Sequence, residues 1–211
     1  MIKNDLKKIY IFGAGTTGRE VLRIISDINN KKPSWDVLGF VDNNSDLVGE
    51  KIDDVKVFHF TELKGIENFY AVCCAYDSKI RKNIIEKEIQ YLGLKLTSII
   101  HPDVFIPSDA SIDDGVIIYS GTKLSFSVSI GKACLIFFNS LLGHDLNTGP
   151  YCTFSPSVCL NGSISMGEGV FLGSGVTVHQ GVNIGDWTSV GIGSIIINNL
   201  GKNKSVMDMP R

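Results

Sequence analysis

Residues 164–185 read ISMGEGVFLGSGVTVHQGVNIG, and within them an apolar side chain returns at every sixth position: Met166, Leu172, Val178 and Ile184. The same step runs backward through Leu160, Phe154, Thr148, Leu142, Ile136, Ile130, Leu124, Ile118, Ile112 and Ile106, and forward to Val190 and Ile196. Fifteen of these sixteen residues are apolar, Thr148 being the exception, in a chain only 44% hydrophobic overall, so chance alternation does not account for the run. Two companion positions repeat with it. The residue after the apolar one is often glycine (Gly131, Gly143, Gly149, Gly167, Gly173, Gly185, Gly191), and the residue two before it is small or β-branched (Val128, Cys134, Ser140, Cys152, Val158, Ile164, Val170, Val176). An inward knob, a permissive turn glycine and a small residue make one flat rung with a tight corner.

Three rungs close a triangular coil, so residues 18 apart should stack, and the repeat spans roughly five coils. Cys134 and Cys152 are such a pair and read as small core residues rather than a disulfide. An antiparallel sandwich would need turns and varying lengths every 8–12 residues, which this unbroken register lacks. The expected fold is therefore a parallel β-solenoid over residues 101–211. Its exposed flat faces predict an oligomer, a trimer above all.

Residues 1–100 follow a different pattern. KIYIF is an apolar strand, and Gly13-Ala14-Gly15-Thr16-Thr17-Gly18 follows it, leading into a helix with Val21, Leu22, Ile25 and Ile28. WDVLGFV is a second strand ending at Asp42, Val55 and Val57 mark a third, and FYAVCCA (69–75) is a buried strand. Residues 78–92, with Ile80, Ile84, Ile85 and Ile89, make an amphipathic helix. This order predicts a small, mostly parallel α/β sheet of Rossmann-like type. Strand, GxGxxG, then helix brings backbone amides up to a phosphate at the helix N-terminus, and Asp42 is placed to accept from a ribose or sugar hydroxyl. A glycine turn serving close packing alone is the other reading. About 100 residues is short for a complete dinucleotide fold, so a mononucleotide fits better than NAD.

A formal charge of −2 with pI near 6.1 speaks against nucleic acid or an anionic membrane surface as partner. No apolar run reaches the roughly 18–20 residues that span a bilayer, and the N-terminal residues carry no cleavable-signal pattern. Five cysteines without metal-like spacing suit a reduced, cytoplasmic protein.

The two halves in this order resemble the sugar acyltransferases of the NeuD/PglD type, over nearly the whole chain. The matching stretches are IFGAGTTGREV, GFVDNN, AVCCAYDSKIRKNI and HPDVFIPSDASIDDGVII. The most specific is Gly143-His144-Asp145-Leu146-Asn147-Thr148-Gly149, similar to the family segment N-H-[DE]-C-x-I-G. The resemblance implies a left-handed β-helix that trimerises with active sites between subunits. It further implies a Rossmann-like domain holding a nucleotide-linked 4-amino sugar (UDP or dTDP), acetyl-CoA or another acyl-CoA as co-substrate with no metal, and a place in surface glycan biosynthesis. Carried over residue by residue, His144 is the general base and Asp145 orients it. Gly13, Gly15, Thr16, Thr17, Gly18, Asp42, Asn43, Ala75, Tyr76 and Asp77 line the nucleotide-sugar pocket. Thr153, Gly162, Ser174 and Ile192 meet acyl-CoA.

The sequence departs from that pattern in three places. Gly143 stands where the family has Asn, Thr153 stands where some relatives carry a second His, and VMDMPR replaces a G-x-P-A-K-like tail. Of the other histidines, His59 lies in a polar, solvated segment, His101 precedes Pro102 at the domain junction, and His179 sits at a corner with an exposed or interfacial role. A sugar O-acetyltransferase, a non-catalytic trimeric scaffold and a zinc site of the β-helical carbonic-anhydrase kind are the competing readings. The last needs three converging histidines, where the repeat offers only His144 and His179. A nicotinamide oxidoreductase would need a substrate domain that the sequence lacks.

Overall fold

The computed structural model describes residues 6–63 and 68–207, so most of the VMDMPR tail lies outside the described residues. The chain divides into two compact units, Met1–Pro102 and Asp103–Arg211.

The first unit contains β1 (Lys7–Phe12), α1 (Thr16–Lys31), β2 (Trp35–Val41), β3 (Lys51–Ile52), β4 (Val55–Phe58), β5 (Tyr70–Cys73), α2 (Ser78–Ile84) and β6 (Lys95–Leu96). The sheet order is β3-β4-β2-β1-β5-β6, parallel except for β3 on β4. β1 is central and buried on both faces, with Ile9 and Ile11 fully covered, as a parallel strand with cover on both sides must be. From β1 the chain builds outward through β2 to one edge and then returns to add β5 on the other side. The order therefore reverses beside β1, and a crevice opens at the strand ends there. The turn at Asp53-Asp54, both in the left-handed region (φ 49° and 64°), folds β3 back on β4 as a two-residue hairpin that the sequence pattern did not announce. The helix expected over 78–92 starts at Ser78 but is α-helical only to Ile84, and Ile85–Ile89 form a π turn.

The second unit is the left-handed parallel β-helix. Two-residue strands stack at 18-residue spacing on three faces, with registers such as Leu124↔Leu142↔Leu160↔Val178↔Ile196. The six-step residues point inward, and Leu142, Phe154, Leu160, Leu172, Val178 and Val190 are completely buried. Thr148, the polar exception, is buried too. Its hydroxyl accepts the Gly131 amide at 3.0 Å, so the polar atom is satisfied inside the core. Cys134 and Cys152 are buried free thiols, both donating to the Gly149 carbonyl (3.3 and 3.4 Å).

The corners revise the expected role of the glycines. From Gly115 to Gly193 every sixth residue has a left-handed φ, but these lie three after the inward residue rather than one after it. They include Ser127, Asp145, Tyr151, Ser157 and Trp187 as well as glycines. The glycines directly after the inward residues have ordinary φ and are small for another reason. At Gly143, for example, an added Cβ would lie 2.5 Å from the backbone of Asn161 in the next coil. They permit close coil-on-coil approach, not a turn.

Candidate functional site

Two concave regions gather residues singled out in the sequence, one in each unit. In the first unit a cleft of about 430 Å³ opens where the strand order reverses. Gly13, Gly15, Thr16, Thr17, Gly18, Asp42, Asn43, Ala75 and Tyr76 all line it, as the sequence places them. Gly15 is the N-cap of α1, which has no side-chain cap and no acidic residue in its first turn. Its N-terminal amides and positive dipole end are therefore open to an anion, which is what a phosphate requires. Asp42 is more occupied than expected: Oδ2 accepts the Ala14 amide at 2.8 Å and Oδ1 the Asn44 amide at 2.9 Å. It ties the glycine loop to the end of β2, with only its remaining lone pairs left for a ligand. Asp77 does not line the cleft. Its Oδ1 accepts the amides of Lys79 and Ile80, both at 2.9 Å, as the N-cap of α2.

Several cleft residues escaped the sequence reading. Ile80, expected in the core, is 57% exposed and lines the cleft with Asn83 and Ile84. Glu88 is buried at the cleft wall, where its Oε1 accepts the Asn43 side-chain amide at 2.8 Å. Burial pushes its carboxyl above the ordinary carboxylate value, although the Asn43 hydrogen bond and nearby His59 oppose the shift. Arg81 is almost wholly buried and donates from Nη1 to the Ala75 and Tyr76 carbonyls (2.7 and 3.0 Å), holding the loop that forms one wall. The signal for both was present: Arg81, Ile85, Glu88 and Ile89 share one helical face, and charged groups on an otherwise apolar face invite a structural or ligand role.

The second site is a groove of about 470 Å³ on the β-helix, lined by Ser125, Leu141, Gly143, His144, Leu160, Asn161, Gly162, His179 and Gln180. His144 Nδ1 lies 2.8 Å from Asp145 Oδ2. With Nδ1–H donating to that carboxylate, Nε2 is the nitrogen left to accept a proton. The imidazole is held between coils. Phe126, 18 residues before, stacks on it (centroids 5.2 Å apart, planes 11° apart), and Gly162, 18 residues after, leaves room for it, since any Cβ there would collide with the ring. Asp145 adopts φ 54°, a conformation its short polar side chain tolerates, and this corner turns its carboxylate toward its neighbour. His179 is exposed in the same groove, with Nδ1 3.0 Å from its neighbouring carbonyl at Gln180. His59 bonds the Thr61 hydroxyl (2.7 Å), and His101 lies 3.3 Å from Asp27.

The residues expected to meet acyl-CoA do not gather in one copy of the chain. Gly162 lies beside His144, whereas Ser174 and the 77%-exposed Ile192, 18 residues apart, belong to another corner. Thr153 is fully buried in its strand and offers no surface to a cofactor. Among the described residues no group of three His, Cys, Asp or Glu is placed to hold a metal ion, and no helix is long and apolar enough to cross a membrane.

Over 158 residues the chain is 30% identical to GDP-perosamine N-acetyltransferase of Escherichia coli O157:H7, covering 73% of this chain and 70% of that protein. It belongs to the sugar N-acyltransferase family of hexapeptide-repeat enzymes. Residues 5–92 also match the family described as C2185-like, N-terminal. This sugar N-acyltransferase shares its fold with a histidine-to-asparagine mutant of perosamine N-acetyltransferase from Caulobacter crescentus, solved in complex with CoA and GDP-perosamine. The TM-score is 0.87 at 24% identity, over 96% of this chain and 94% of that one. WeeI from Acinetobacter baumannii AYE superposes with a TM-score of 0.84 at 20% identity, over 97% and 98% of the two chains. The acetyltransferase domain of PglB from Neisseria gonorrhoeae FA1090, in complex with acetyl coenzyme A, gives 0.72 at 22% identity, over 95% and 96%. The resemblance implied UDP or dTDP as the carrier, whereas the Escherichia coli relative and the Caulobacter crescentus structure are both named for GDP-perosamine.

Proposed function

We propose that this enzyme transfers an acetyl group from acetyl-CoA to the amino group of a nucleotide-linked 4-amino-deoxy sugar, with GDP-linked sugars ahead of UDP or dTDP ones. The observation that carries the reading is the His144–Asp145 pair: an imidazole clamped between Phe126 and the gap over Gly162, with Nδ1 engaged and Nε2 open to a groove. The uncapped N-terminus of α1 in the other unit supplies a place for the pyrophosphate.

The chemistry is a direct transfer. The amine lone pair attacks the thioester carbonyl carbon, His144 Nε2 takes a proton from the nitrogen, the C–S bond breaks, and that proton goes on to the departing thiolate. Asp145 orients the ring and stabilises the imidazolium. General-base help of this kind is worth about 10²–10⁴ in rate, and positioning of two bound substrates supplies much of the rest. No covalent enzyme intermediate is needed: four of the cysteines are buried, and Cys159 does not line the groove. Because Gly162 and the Ser174–Ile192 pair belong to different corners, a CoA site drawing on both needs two copies of the chain, in line with a homotrimer whose active sites lie between subunits.

The test is thiol release from acetyl-CoA with a panel of GDP-, UDP- and dTDP-linked 4-amino sugars, wild type beside His144→Asn. Turnover with one amino sugar and a fall of about 10²-fold or more in the variant is the expected result. Wild-type rates in His144→Asn would remove His144 from the mechanism. Turnover only with hydroxyl acceptors would make the enzyme an O-acetyltransferase.

A further inference from the structure

One group in the first unit's cleft is not explained by phosphate binding. Glu88 is only 8% exposed, yet it lines the cleft within a π turn, a helix irregularity that recurs at functional sites. Oε1 accepts from the Asn43 side chain, while Oε2 accepts no hydrogen bond from any described residue. Oε2 is not sealed off but opens on the cleft, where a donor can reach it, and a carboxylate with most of its surface buried favours a ligand that brings donors over one that brings only acceptors. That ligand group is not the pyrophosphate, which two neighbouring carboxylates, Asp42 and Glu88, would repel and which the α1 amides attract. Nor is it the reacting end of the sugar, whose amine must reach His144, outside this cleft. What remains is the ribose or the base, and the apolar side chains of Ile80 and Ile84, which line the same cleft as Glu88, favour a flat base over a hydroxyl-rich ring.

We propose that Glu88, held in place by Asn43, reads the base of the bound nucleotide and selects guanine; this rests on the reading of the cleft as a nucleotide site. Guanine presents two adjacent donors, N1–H and the 2-amino group, on one edge, and a carboxylate engages both at once. Uracil and thymine present a single N3–H between two carbonyl oxygens, which would face the Glu88 oxygens at close range. Ile80 and Ile84 supply the apolar wall along which a flat ring can lie.

Asn43 also determines what Glu88→Gln should do. Its side-chain amide donates to Oε1, so in the variant that place goes to the glutamine carbonyl oxygen and the NH₂ group takes the position of Oε2. The acceptor that guanine needs becomes a donor that meets guanine's own N–H groups and suits a uracil carbonyl.

Calorimetric titration of the full chain with GDP, IDP, UDP and dTDP tests this, IDP being guanine's analogue without the 2-amino group. The wild type should bind GDP about tenfold or more tighter than IDP, and tighter still than UDP or dTDP. Glu88→Gln should lose about tenfold or more in GDP affinity, bind GDP and IDP alike, and hold or gain affinity for UDP. The wild-type comparison of GDP with IDP needs no variant to fold. Equal binding of GDP and IDP by the wild type, or an unchanged preference in Glu88→Gln, would overturn the proposal while leaving the cleft a nucleotide site. If the wild type binds none of the four, the nucleotide reading of the cleft falls and this proposal falls with it.

Discussion

The imidazole proposed as the base must be kept where the substrate will be, and here the means is an absence of atoms above it and a ring below it. Gly162 has an ordinary φ, so nothing in its backbone demands glycine; the collision between a Cβ and His144 does. Gly175 is the converse, with φ 70° and nothing within 4 Å of an added Cβ. Two alanine substitutions should therefore fail differently. Gly162→Ala displaces the His144 ring, lowering turnover by about tenfold or more, because small misplacement of a catalytic group is costly. Gly175→Ala keeps turnover but loses about 1–2 kcal/mol of stability through left-handed strain. Steady-state rates and denaturant melts on both variants separate the two effects, and normal turnover in Gly162→Ala would show that the ring has room elsewhere. His144 and Asp145 were legible in the sequence because they are adjacent within a motif. Phe126 and Gly162 were not read as their companions, although the 18-residue stacking already placed one on each side. Thr153 was misjudged for want of a burial estimate: a one-residue strand position says nothing about what covers it.

At the level of elements, α2 and the π turn after it do two tasks with one face. Ile85 and Ile89 are buried in the core, while Arg81 and Glu88, on the same face, work on the cleft: Arg81 braces the 75–76 wall through two carbonyls, and Glu88 reaches the end of β2 through Asn43. Removing the guanidinium takes the donor from two part-buried carbonyls, a cost of about 1–3 kcal/mol in all. Arg81→Met, which keeps the apolar stem, should lower the denaturation midpoint and weaken nucleoside diphosphate binding together. In the same titrations Lys79→Met, on an exposed position two residues earlier, should change neither. A variant with wild-type affinity would mean the wall stands without Arg81. The strands and helices of this unit were legible from period and punctuation, as KIYIF and WDVLGFV show. The β3 hairpin was hidden because Asp53-Asp54 lacks the Asn-Gly or Asp-Gly signature of such turns, and the π turn because hydrophobic spacing cannot distinguish it from an α turn.

Across the whole molecule, the three faces of the β-helix are unequal, and the inequality points to assembly. The outward residues of one face are Ser111, Ser129, Asn147, Ser165 and Asn183, suited to water. On a second, Ile117, Leu135 and Thr153 are already buried within the single chain. The third carries Lys123, Leu141, Cys159, Thr177 and Ile195, with Leu141 and Ile195 both exposed, and Leu141 also lines the groove that holds His144. A self-association surface on this face would cover exposed apolar area beside the His144 imidazole, and so would make the proposed activity depend on assembly. Ile195 lies on this face but outside the groove, which makes it the cleaner probe. Burying a charge there costs several kcal/mol per copy, so Ile195→Arg should shift the sedimentation coefficient from trimer to monomer and abolish turnover. Ser165→Arg, on the polar face, should do neither. A wild-type monomer with full activity would end the shared-site reading. A trimer that survives Ile195→Arg would move the interface to another face, and the polar row from Ser111 to Asn183 would then have to be explained as a contact rather than as a surface for water.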